Sequence, residues 1–128
     1  MVGVEGRLFT DDRVVAEKVW LAMDFFSRLR GLLGLKELPP GECLILNPCQ
    51  QVHTVGMRFP IDVVFLDKEW RVVGIVKDMK PGRISPFFKK AKMAVEFMAG
   101  SLGSISIGQK FTLEVLTYAR RREAVDGL

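Results

Sequence analysis

The sequence predicts an all-β fold, a single-domain β-sandwich with one short helix. Three observations carry this reading. Apolar residues gather in short runs that alternate or are continuous, and turn residues separate the runs at close intervals. Helical spacing of apolar residues occurs in one stretch only. Residues 1–117 form the expected domain, and 118–128 form a tail, basic and then polar, that is expected to fray.

Val4 to Thr10 and Arg13 to Leu21 read as hairpin strands joined at Asp11-Asp12. In the second, Val15, Glu17 and Val19 alternate with Val14, Ala16 and Lys18. Asp24 or Ser27 then caps the short helix, with Phe25, Phe26, Leu29, Leu32 and Leu33 at helical spacing and Gly34 as its stop. Pro39-Pro40-Gly41 ends any continuation. Glu42 to Leu46 is a strand, and a further extended piece follows at Gln51 to Thr54.

Ile61 to Leu66 is apolar on both faces except at Asp62, the pattern of a central strand covered from two sides. Arg71 to Lys77 is the next strand. Lys92 to Met98 alternates Met93, Val95 and Phe97 against Ala94, Glu96 and Met98. Lys110 to Leu116 is the last, with Phe111, Leu113 and Val115 expected inward.

A chain of 128 residues can bury roughly two-thirds of the surface it exposes when unfolded, so its core needs no staple. Cys43 and Cys49 are too few for a disulfide framework and read as reduced thiols. With no secretory pattern at the start and no apolar run of membrane-spanning length, a cytoplasmic location and no membrane association are expected. A net charge of +4 is too small an excess to imply a polyanionic partner.

Several of these segments resemble the DUF192 family, small prokaryotic domains of unknown function. Arg28-Leu29-Arg30-Gly31-Leu32-Leu33-Gly34 looks like its early Arg-Gly-Leu motif, and Pro40 to Leu46 like the strand after it. The most specific match is His53-Thr54-Val55-Gly56-Met57-Arg58-Phe59-Pro60-Ile61-Asp62, continuing to Asp67. Ala94 to Gly100 and Ile107-Gly108-Gln109 are similar to later elements of the family. The resemblance covers roughly Arg28 to Glu114. It implies a jelly-roll-like sandwich and supplies no activity, cofactor or catalytic residue. Many members look exported or lipid-anchored, whereas this chain shows no leader pattern.

The candidate site is the 53–62 region. His53, Arg58 and Met57 are the expected ligand contacts, with Asp62 orienting them. A carboxyl group inside an apolar strand needs a partner, and Arg58, four residues earlier, or amides of the Gly56 loop can supply it. Cys49 with His53 is the weaker, catalytic candidate: the pair suits a thiolate nucleophile, but an extended chain would hold them about 13 Å apart. A zinc-like set of Cys49, His53, Asp62 and Cys43 lacks paired-ligand spacing, so no metal and no cofactor is expected.

Phe87-Phe88 beside Lys89-Lys90 has an aromatic and basic character of the kind used on single-stranded nucleic acid, though the bland reading is core plus solvated surface. Glu96 reads as a half-buried structural carboxylate. The expected function is therefore a small binding module with a polar pocket, its partner a small molecule or a protein. A Cys/His enzyme, or a weak binder of nucleic acid or another acidic partner, is the alternative.

Overall fold

The computed structural model describes residues 2–24, 28 and 31–119. Seven strands run through them: β1 (Val2–Thr10), β2 (Arg13–Ala22), β3 (Glu42–Leu46), β4 (Ile61–Leu66), β5 (Val72–Met79), β6 (Met93–Met98) and β7 (Phe111–Ala119). All belong to one sheet, ordered β5-β4-β6-β3-β2-β1-β7. Each neighbouring pair is antiparallel except β2 and β3.

The outer strands β5 and β7 approach each other at their starts. Arg71 bridges Lys110, and the Phe111 N–H donates to Trp70 O at 2.8 Å. The sheet therefore curls toward closure, as a strongly twisted sheet does. The two layers of the expected sandwich are two halves of this one curled sheet.

Both faces of the central strands are buried. Val4, Leu8, Val19, Ile45, Val95 and Phe111 meet inside the curl. On the other face, Leu44, Ile61, Val63 and Phe65 are covered by Leu32, Val52, Met57 and Phe59 from the connecting loops. The continuous apolar pattern of β4 follows from this, since all six of its positions are buried.

At the join of β1 and β7 a Cβ on Gly6 would run into the carbonyl oxygen of Glu114, and the register shifts there. Only glycine lets the two backbones come so close.

The sequence reading and the structure agree on the bounds of β3 and β4; the bounds of the other strands shift, the extended piece at Gln51 to Thr54 forms only the His53–Ile84 bridge, and three further differences bear on the ends of the chain and the helix. Of the expected helix, Arg28 is helical and its N–H donates to Asp24 O at 3.0 Å; residues 25–27, 29 and 30 lie outside those described. Val115 is not inward but 40% exposed, because β7 runs past the core that Phe111 anchors. The last strand also extends to Ala119, into the stretch read as tail, while 120–128 lie outside the described residues.

Candidate functional site

Residues 50–54 run antiparallel to the 80–89 loop and are stitched to it side chain to backbone. The Gln50 and Gln51 amides donate to Lys89 O and Ser85 O at 2.8 and 2.9 Å, and the Ser85 hydroxyl accepts the Val52 N–H at 3.0 Å. At the far end Thr54, fully buried, donates its hydroxyl to Lys80 O at 2.6 Å and accepts the Arg83 N–H at 2.9 Å. Phe88 anchors the other end. Its ring lies 4.4 Å from that of Phe65 and covers Gly74, the residue opposite Phe65 on β5.

This stitched pair of loops forms one wall of a groove of about 630 Å³. The turn at Arg28 and 31–33 forms the opposite wall, and Leu46 and Glu96 line it from the sheet. The size suits a small ligand. Leu32, Leu33, Val52, Met57 and Ala91 make much of the lining apolar.

Two polar groups in this groove lack the partners that burial demands. Glu96, 3% exposed, sits in β6 between Leu44 of β3 and Val63 of β4, both apolar. Among the described residues no hydrogen bond reaches its carboxyl group, and burial pushes its pKa up to about 8. The acid is therefore mostly neutral at pH 7. Arg28 donates through Nη1 to Pro48 O at 3.2 Å, but its Nε–H is buried with no acceptor among the described residues. A buried donor left without a partner is uncommon in a native fold and calls for an explanation.

Cys49 lines the groove with them. Its thiol donates to Gln51 O at 3.3 Å. Burial raises its pKa first of all, Glu96 adds to the rise, and the Arg28 guanidinium pulls the other way. A thiol held protonated is a poor nucleophile. Cys43 is fully buried inside the curl, on the opposite face of the sheet, so the two cysteines do not form a ligand pair.

Of the residues singled out from the sequence, Cys49, His53 and Met57 line the groove together. His53 is exposed and bridges Ile84 through its backbone; Met57 is 8% exposed, its side chain shared between groove and core. Arg58 is exposed and Asp62 is buried, and neither lines the groove.

The expected pairing of Asp62 with Arg58, or with the Gly56 loop, is replaced by another. Asp62 accepts the Asp78 N–H at 2.8 Å through Oδ1 and the Gly100 N–H at 2.9 Å through Oδ2. The reason is a bulge: β5 carries one extra residue between the partners of Ile61 and Val63, and the carboxylate takes up an amide left off the ladder there.

Sequence reasoning missed Arg28 and Glu96 as site residues. Arg28 was hidden in a segment read for helical spacing. The available signal for Glu96 was a lone acid in an otherwise apolar alternating strand, the same signal that drew attention to Asp62.

The DUF192 family model, described as Uncharacterized ACR, matches residues 7–115. No curated protein matches the chain. Two solved structures share the fold. One is a protein of unknown function from Novosphingobium aromaticivorans, 21% identical, with a TM-score of 0.73 over 85% of this chain and 84% of that one. The other, from Sinorhizobium meliloti and described as a candidate transcription regulator, is 19% identical. Its TM-score is 0.75 over 87% of this chain and 93% of its own.

Proposed function

The chain belongs to the DUF192 family, whose function is unknown, and on that premise we propose that it is a small-molecule binding module built around the groove beside Glu96. One observation carries the reading: Glu96, 3% exposed and with no hydrogen-bond partner among the described residues, lines a groove open to solvent. Burying such a group costs free energy that a core of apolar residues would avoid. A ligand that hydrogen-bonds to it would offset that cost in the bound state.

His53 and Met57 contact the ligand in this reading, at the rim and on the wall. Arg58 and Asp62 support the loop and the sheet from outside the groove. The raised Cys49 thiol favours binding over thiolate chemistry.

Methyl-detected NMR with a set of small amphiphilic fragments tests the proposal. Some fragments should shift the methyl signals of Met57, Val52 and Leu32 while leaving those of Val4 and Val19, inside the curl, in place. A well-dispersed spectrum that no fragment perturbs at the groove would remove it.

A further inference from the structure

Resting on that groove, we infer that its ligand is an amphiphile with a carboxylate headgroup, held at Arg28 and Glu96 with its apolar chain along Leu32, Leu46, Val52 and Met57.

The donors decide the headgroup. Arg28 lines the groove, donates through Nη1 to Pro48 O, and its guanidinium carries a fixed positive charge with further N–H donors. Glu96 in its neutral form offers an O–H donor, and among the described residues none receives it. Both line the same groove, together with Cys49. A carboxylate presents two acceptor oxygens to two such donors and pairs its charge with the guanidinium.

The remaining polar side chains agree. The Gln50 and Gln51 amide N–H groups are already used on Lys89 O and Ser85 O, and the Cys49 thiol on Gln51 O. Lys92, also on the lining, adds positive charge. A cationic headgroup would meet Arg28 and Lys92 with only Glu96 to attract it. The apolar walls then take a hydrocarbon chain, for which burial is favourable at about 25 cal/mol per Å².

Protonation of Glu96 makes the site pH-dependent. The titratable and charged groups that line the groove with it are Arg28 from the turn, Cys49 and His53 from the 49–53 segment, and Lys92 just before β6; its neighbours on β3 and β4, Leu44 and Val63, are uncharged. Once Glu96 ionises it repels a carboxylate, whereas a glutamine at the same place donates at any pH.

Octanoate, octanol and octylamine are titrated into the full chain and into Glu96→Gln, with the groove methyl signals and calorimetry as readouts, between pH 6.5 and 9.5. Octanoate should bind at least tenfold more tightly than either analogue at pH 7. Its affinity should fall by up to about tenfold per pH unit above about 8 in the wild-type protein and stay level in Glu96→Gln. Octylamine binding more tightly, octanol binding equally, or octanoate affinity unchanged across the range in the wild-type protein would each overturn the carboxylate assignment while leaving the groove as a binding site. Failure of all three probes to move any groove methyl would overturn both.

Discussion

Asp62 stands opposite Phe97 and Glu96 opposite Val63, so the two buried acids are one register step apart on β4 and β6 and face opposite sides of the sheet. Cross-strand partners share a face, which puts Asp62 on the side of the curl and Glu96 on the side of the groove. They cannot act together on one substrate. Asp62 satisfies both of its oxygens with amides, whereas among the described residues Glu96 has no hydrogen-bond partner.

Glu96 should make stability depend on pH. Its folded value near 8 exceeds the ordinary 4.5, so between those values the folded protein binds more protons than the unfolded chain. Stability then falls as pH rises through that window, with a limiting slope of about 1.4 kcal/mol per pH unit. Urea denaturation at pH 5.5, 7 and 8.5 should show the decline in the wild-type protein and its disappearance in Glu96→Gln. Parallel profiles for the two proteins would contradict the assignment.

Asp62→Ala should cost about 1–3 kcal/mol, because it takes the acceptor from two part-buried amide hydrogen bonds at once. Asp62→Asn keeps one acceptor and should lose roughly half as much. Amide NMR gives a second check: the Asp78 and Gly100 N–H signals should both move in either variant.

Thr54→Val preserves shape but leaves Lys80 O and Arg83 N–H without their hydroxyl, for a loss of about 1–3 kcal/mol. Thr54→Ser restores the hydroxyl and should recover most of that loss. Guanidinium unfolding midpoints of the pair measure the difference, and equal midpoints would argue against the clamp.

Gly74→Val should displace the Phe88 ring, since even a single Cβ at that position overlaps it. Overpacking of this kind costs about 1–3 kcal/mol. Limited proteolysis should then cut the 80–89 loop well before the rest of the chain, a selectivity the wild-type protein lacks.

Alkylation of Cys49 at pH 7 should be slower than that of a free thiol, and should go on accelerating as pH rises past the ordinary value of 9. Cys43, fully buried, should react only on unfolding. Rapid labelling of Cys49 at pH 7 would return the Cys49–His53 enzyme reading to contention.

The strands were legible because burial writes itself into the sequence at period two, and both faces of β3 and β4 read as continuous apolar runs. Closure of the sheet was not. It depends on Arg71 meeting Lys110, two residues whose side chains are unremarkable and whose pairing lies 39 positions apart in the chain. The site was half legible. Polar residues beside an apolar run marked His53, Met57 and Cys49, but the same signal marked Asp62, whose partners are backbone amides with no sequence signature. Thr54 shows the limit most clearly, being a residue type common on surfaces that here is fully buried as a knot between two loops.

Because β1 pairs with β7 along most of its length, Gly3 opposite Ala119 and Thr10 opposite Phe111, the first strand must wait for the last. On a ribosome the β1–β2 hairpin and the β4–β5 hairpin can each form as they emerge, but β1 keeps one open edge until β7 has cleared the exit tunnel. During that interval the nascent chain carries an unpaired strand edge, the kind of surface that chaperones cover. The β1–β7 ladder cannot form before β7 is made, and synthesis through Ala119 sets the earliest moment at which the curl can close.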